Sequence, residues 1–162
     1  MLMVEGDLWD YYDAGVPVAI STNIGWTRAG LNVMGRGVAA QAAARFPKLS
    51  RRYGEYCRER GVSARVIAYC PTRGDTPLFL FPVKLLNTES PNLSWRHPAD
   101  LDLIAKSATE LLQYEPLFRT IALPLVGCGN GGLRRQDVLA VLRNVLESDV
   151  FVLVEMHAFL RE

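Results

Sequence analysis

Two short stretches carry residue types that could bind an anion: GCGNGGL at 127 to 133, directly after the apolar run IALPLV, and GRGV at 35 to 38, which opens an alanine-rich stretch. Glycine lets backbone N–H groups approach an anion closely, and a helix that starts at such a loop aims the positive end of its dipole at the same anion. Gly127, Cys128, Gly129, Asn130, Gly131, Gly132 and Leu133 on one loop, with Gly35, Arg36, Gly37 and Val38 on the other, are therefore candidate phosphate contacts. Two cradles of this kind at the ends of two strands suit a diphosphate gripped from both sides. Gly127, Gly129 and Gly132 also satisfy G-x-G-x-x-G, the dinucleotide fingerprint, and a helix and a strand carrying Glu155 follow it. The few residues after that strand cannot build a third βα unit, which disfavours a nicotinamide dehydrogenase, and no Gly-Lys-Ser/Thr closes a Walker loop.

The loops need strands and helices to hold them. MLMV, VPVAIST, ARVIAYC, LFLFPVK, TIALPLV and VFVLVEM are short apolar runs bounded by Gly, Pro or polar residues, as strands covered on both faces would be. Between them GVAAQAAARF, LSRRYGEYCRER, DLDLIAKSATELLQ and RQDVLAVLRNVLES have helical spacing. In the third, Leu101, Ile104, Ala108, Leu111 and Leu112 share one face, the mark of a helix packed on a sheet. Residues 85 to 99 follow neither period and form the longest irregular connection. The class is α/β in layers.

At 162 residues the chain corresponds to one domain over 1–162, and 49% hydrophobic with 22% charged residues describes a soluble globular protein. A formal net charge of +1 argues against a broad electrostatic grip on nucleic acid and leaves room only for a local patch. The basic tract KLSRRYGEYCRERG, interleaved with glutamates, reads as a solvated helix face. Cys57, Cys70 and Cys128 form neither a disulfide framework nor a zinc pattern, so no metal or cofactor is expected and a reducing, cytoplasmic setting fits. Cys128 reads as a small side chain turned into the core, since no base stands beside it. His97, in the polar connection, reads as a surface residue. Acidic residues come too early for a signal peptide, and no apolar run reaches the length of a membrane span.

GDLWD near the start, STN closing the second strand, MGRGVAAQAAARFP, FPVK and LPLVGCGNGGL together resemble the macrodomain family over residues 4 to 156. MGRGVA followed by FPVK is more similar to the branch with DNA ADP-ribosyl hydrolase antitoxins and eukaryotic hydrolases of glutamyl-linked ADP-ribose than to the branch with a GGGVD loop. The resemblance implies a three-layer α/β/α macrodomain with a mixed central sheet of six strands, and ADP-ribose as ligand. It implies removal of ADP-ribose from a nucleobase or a protein side chain, with DNA or protein as the ADP-ribosylated substrate and a toxin or ADP-ribosyltransferase as partner. A module that binds ADP-ribose without turnover is the competing reading.

Residue by residue, Asp7 matches the family's adenine-contacting acid, with Leu8 beside it; a helix N-cap is its plain alternative. Asn23 matches the asparagine at the distal ribose, next to Thr22, where an amide can both donate and accept; it could instead merely end its strand. Lys84 matches the branch's catalytic lysine and, with Asn23, makes the catalytic pair that the resemblance implies; a solvated lysine at a strand end is its alternative. His157 or Phe159 is the candidate to stack on adenine. The chain departs from its relatives at GWTRAGLNV, an insertion-like loop that would bring Trp26, Thr27 and Arg28 near a modified substrate. Gly131 stands where the ester hydrolases have an aspartate, and Arg135 with Gln136 replaces a tryptophan, a change of packing rather than chemistry.

Overall fold

Side chains of a strand alternate between its two faces, so a strand buried on both sides must feed two cores. In the computed structural model, which describes residues 1–156, Leu78 and Leu80 join one core cluster while Phe79 and Phe81 join the other. The six apolar runs become β1 (Leu2–Glu5), β2 (Val18–Asn23), β3 (Ile67–Tyr69), β4 (Leu78–Lys84), β5 (Ile121–Pro124) and β6 (Phe151–Glu155). They form one sheet in the order β1-β6-β5-β2-β4-β3. All pairings are parallel except β3 with β4, which makes the sheet mixed. The structure corrects one expectation here: β1, an edge strand, is not covered on both faces, and Leu2 and Glu5 at its ends are exposed.

The helices α2 (Gly37–Arg45), α3 (Leu49–Arg60), α4 (Leu101–Leu111) and α5 (Arg135–Val145) occupy the four stretches with helical spacing. A further helix, α1 (Leu8–Asp13), was not legible from periodicity, because six residues are too few to show a period. The side chain of Asp7 caps it by accepting from the Trp9 N–H at 2.9 Å. Leu8, Trp9, Ala42, Leu49, Tyr53 and Cys57 cover one face of the sheet; Ile104, Ala108, Leu111, Val138 and Leu142 cover the other. This is a three-layer α/β/α sandwich. The outward residues of α3, Arg51, Arg52, Arg58 and Arg60 among them, are exposed, as the solvated-face reading requires. No helix among the described residues is long and apolar enough to cross a membrane.

Strands β2 and β5 meet only at Val18 and Ala122, where the Ala122 N–H donates to the Pro17 carbonyl at 3.0 Å, and then part. The chain leaves β2 toward the α2–α3 layer and leaves β5 toward the α4–α5 layer. The two loops thus diverge across a crevice at the carboxyl ends of the strands, the place where open α/β sheets bind ligands.

Candidate functional site

A cleft of about 450 Å³ occupies that crevice. Asn23 ends β2, Lys84 ends β4, Pro124 and Leu125 follow β5, and Val154 and Met156 lie at the end of β6; all line it. The two glycine-bearing loops converge on it from opposite walls: Gly35, Arg36, Gly37 and Val38 on one, Gly127, Gly129 and Asn130 on the other. Asp7, Leu8 and Thr22 complete the site residues that the structure brings together there.

Both walls present backbone donors. Helix α2 has no side-chain cap at Arg36 among the described residues, its first intrahelical bond runs from Ala40 N–H to the Arg36 carbonyl at 3.3 Å, and residues 36 to 39, which carry its leading N–H groups, line the cleft. Gly37 sits at φ +59°, a backbone conformation that favours glycine. On the other loop, the N–H groups of residues 127 to 131 donate to no protein acceptor among the described residues. The next two are spent on closing the loop: Gly132 N–H donates to the Gly129 carbonyl at 3.2 Å and Leu133 N–H to the Gly127 carbonyl at 3.1 Å.

Cys128, Gly131, Gly132 and Leu133 lie behind the cleft wall rather than on it. Cys128 and Leu133 pack against the core under α4 and α5, and burial pushes the Cys128 thiol up to about 11, so it stays protonated at neutral pH. The Gly131 carbonyl accepts from Ala99 N–H at 3.0 Å, and a Cβ at Gly131 would stand 2.4 Å from the Gly127 carbonyl oxygen and 2.6 Å from the Ala99 Cβ. A carboxylate-bearing side chain has no room there. Gly131→Ala is accordingly expected to destabilise the fold by about 2 kcal/mol. Gly129→Ala, whose Cβ meets nothing within 4 Å, is expected to stay within about 0.5 kcal/mol of wild type. Urea unfolding of the two variants checks the contrast.

Asn23 is 7% exposed and its amide is nearly used up within the protein. Its Nδ2 donates to the Val33 carbonyl at 2.8 Å, and its Oδ1 accepts from Gly25 N–H at 3.0 Å and from Asn32 Nδ2 at 3.1 Å. Gly25 N–H fills one acceptor lone pair, and the other has only a share of an Asn32 N–H, whose two hydrogens serve three acceptors; the donor-and-acceptor role toward adjacent hydroxyls is thus narrowed, and one N–H of Asn23 remains. Asn32 itself, 2% exposed, ties Asn23 to Gly25 by donating also to both their carbonyls, at 2.9 and 2.8 Å. Asn32 and Val33 come from the loop after β2, so no spacing in the sequence announced this network.

Lys84 stands opposite Asn23 in the β2–β4 register, just past a shift between Thr22 and Asn23 that leaves Val83 as an extra residue on β4. Its Nζ donates to the Trp95 carbonyl at 2.8 Å and reaches the Asn130 carbonyl at 3.5 Å. No carboxylate pairs with it among the described residues. Burial therefore acts unopposed and lowers its pKa below the ordinary lysine value. Trp95, the residue that supplies the nearer carbonyl, also lines the cleft and was not singled out from the sequence.

Asp7 is exposed at the cleft wall; one oxygen caps α1 and the other takes no hydrogen bond among the described residues. Cap and ligand contact are thus compatible roles. Trp26 is partly buried against the α2–α3 core, and Thr27 closes a turn with Leu31 and Gly30, so the insertion-like loop does not bring residues 26 to 28 onto the cleft lining. His97 is half-buried, not a surface residue, and its Nε2 is enclosed without a hydrogen-bond partner among the described residues. Glu155, at the acidic position of the dinucleotide pattern, is buried and paired with Arg135 through two bonds of 2.9 and 2.5 Å, on the side away from Val154 and Met156. His157 and Phe159 lie outside the described residues.

No family model matches the chain. A DNA ADP-ribosyl glycohydrolase of Thermus aquaticus is 32% identical over 123 residues, which cover 73% of this chain and 32% of that protein. The chain spans about a third of the length of the curated relatives it matches. The solved macrodomain of Thermus aquaticus DarG superposes with a TM-score of 0.71 at 29% identity, covering 96% of this chain and 97% of that one. Thermosipho africanus DarTG, solved in complex with ADP-ribose, superposes with a TM-score of 0.72 over 95% of this chain and 40% of that one, a likeness of fold at 20% identity.

Proposed function

This chain belongs to the macrodomain family, and from that premise we propose that it is an ADP-ribosyl glycohydrolase that frees ADP-ribose from a nucleobase of DNA or from a protein side chain. The observation that carries the reading is the convergence of two uncapped sets of backbone N–H groups on one cleft that ends at Lys84. The diphosphate takes the N–H groups of residues 36 to 39 and 127 to 130, where fixed donors cost no reorganisation. Gly132 and Leu133 hold that loop shut from behind. The adenine lies toward Asp7 and Leu8, and the distal ribose toward Asn23, Thr22 and Lys84.

At the anomeric carbon the neutral Lys84 amine is the nucleophile. The bond from that carbon to the acceptor breaks, the acceptor takes a proton from solvent, and a bond to Nζ forms. Water then hydrolyses this linkage, returning the amine and free ADP-ribose. Asn23 positions the ribose through its remaining N–H and holds the loop that shapes this end. The relatives named as DNA ADP-ribosyl glycohydrolases support this reaction class, and the DarTG structure supports a toxin or ADP-ribosyltransferase as partner. Three free cysteines fit the reducing cytoplasm.

Turnover of ADP-ribosylated single-stranded DNA and of an ADP-ribosylated protein by the purified chain tests the proposal; release of ADP-ribose from neither, with tight binding of the free nucleotide, would replace it with a reader module. That second reading draws on Asp7 being the one carboxylate on the cleft lining among the described residues. The adenine contact has its own test. Asp7→Asn keeps a good N-cap but turns an amide N–H toward the adenine amine, so ADP-ribose is expected to bind about tenfold more weakly with an unchanged melting temperature. Calorimetry and a thermal melt read the two quantities separately.

A further inference from the structure

Lysine is a point charge on a flexible stem, so a lysine that must meet one atom of a substrate has to be held by something stiffer. Lys84 Nζ reaches two carbonyls, that of Trp95 at 2.8 Å and that of Asn130 at 3.5 Å, and the first is the firm bond. Trp95 belongs to the short helical turn Pro91–Arg96 inside the irregular connection, and Ser90 gives that turn no side-chain cap among the described residues. The turn is fastened in another way. Ser94, next to Trp95, is 0% exposed, and its Oγ accepts the Asn87 N–H at 2.9 Å. Asn87 folds the approach to the turn, its Oδ1 accepting from Glu89 N–H at 3.1 Å and from Ser90 N–H at 2.9 Å. Ser94 thus ties the turn back to the chain just after β4, the strand that ends in Lys84.

The far side of the turn rests on the loop after β2. A Cβ at Gly25 would overlap the Pro91 carbonyl oxygen and stand 2.7 Å from both Cβ and Oγ of Ser94, so the Gly25 backbone packs directly on the turn. Gly25 is itself fixed: its N–H donates to Asn23 Oδ1 at 3.0 Å, and its carbonyl accepts from Asn32 Nδ2 at 2.8 Å. Asn23, placed at the distal ribose, and Lys84, placed at the anomeric carbon, are therefore referred to each other through Gly25 and Ser94. A buried polar network of this kind holds one arrangement and resists its neighbours.

We propose that Ser94 is a positioning residue for Lys84: seated on Gly25 and bonded to the Asn87 N–H, it sets the Trp95 carbonyl that aims Nζ into the cleft. The chemistry rests on the hydrolase reading, whereas the placement of the amine is measured on the free chain and stands apart from it. Ser94→Ala keeps the Cβ that packs on Gly25 and removes the acceptor of the Asn87 N–H. It is expected to lower kcat for release of ADP-ribose about tenfold, because a small misplacement of a reacting group is enough for such a loss. KM and the Kd of free ADP-ribose should stay within about twofold, since Ser94 does not line the cleft. In a Lys84→Ala background the same substitution should lower kcat no further, because Ser94 acts through the lysine. Asn87→Ala loosens the turn from its other end and should give the same loss confined to kcat; Asn87→Asp, which still accepts both N–H bonds, should recover it.

The amine is also followed directly. The chain has three lysines, Lys48, Lys84 and Lys106, so NMR of protein labelled at the lysine ε-carbon resolves each of them. A side chain held in one setting gives its two ε protons distinct shifts, and free rotation averages them. Lys84, assigned through Lys84→Arg, should show two shifts in wild type and in Asn87→Asp, and nearly one in Ser94→Ala. Two shifts retained in Ser94→Ala, a kcat within twofold of an active wild type, or a loss of kcat matched by an equal loss of ADP-ribose affinity overturns the proposal. Merged shifts in Ser94→Ala beside a wild type that turns nothing over sink the hydrolase reading and keep the positioning.

Discussion

Lys84→Ala is expected to lower kcat for release of ADP-ribose by about 10³-fold, a barrier increase of about 4 kcal/mol, while ADP-ribose still binds within about threefold of wild type. The binding we propose rests on backbone N–H groups of the two loops, which the substitution leaves in place. Lys84→Arg should fail as completely, because a guanidinium does not give up its proton at working pH. Burial lowers the folded-state pKa of Lys84, and no carboxylate among the described residues pairs with it to raise it again. If the neutral amine is the nucleophile, as proposed, activity should climb as pH rises through that lowered pKa and level off above it. As pH falls through the same value the amine is protonated and turnover is lost. Activity that survives in Lys84→Arg would assign the residue to charge and positioning instead of attack. A pH–rate profile of wild type beside the two variants reads all of this at once.

Asn23→Ala is expected to cost about 3 kcal/mol of stability, near 8 °C in melting temperature for a domain of this size. The substitution leaves the Gly25 N–H and the Val33 carbonyl without the partners they have at 3.0 and 2.8 Å, in a region where Asn23 and Asn32 are both buried. Asn32 would keep its two bonds to the carbonyls of residues 23 and 25, so the loop loosens without being released. ADP-ribose affinity should fall with stability, since the same loop carries Val33 and Gly35 to the cleft. Lost affinity at unchanged stability would mean that Asn23 serves the ligand alone.

The layers and the two loops were legible because burial writes itself into the sequence. Leu78 to Phe81 must be apolar at every position when both faces are covered, and the face of α4 repeats with the helix. Glycines cluster visibly at 35 and 37 and at 127 and 129, and two of them, Gly37 and Gly127, take the positive φ that favours glycine. What stayed hidden depends on contacts between distant segments. The reversed β3, three residues long, has nothing in its composition to mark its direction. The bonds that consume Asn23 come from a loop ten residues later, and the carbonyl that holds Lys84 belongs to Trp95 in an irregular stretch. At Gly131 the sequence shows only the glycine; that its carbonyl and its missing Cβ serve the packing against Ala99 appears only once residues 99 and 131 are brought together.

Soaking crystals of the chain with ADP-ribose tests the central claim most directly. The account requires the diphosphate between residues 36 to 39 and 127 to 130, with the anomeric carbon about 3.5 Å from Lys84 Nζ. A diphosphate held outside those two loops, or an anomeric carbon that Lys84 cannot reach, would contradict it.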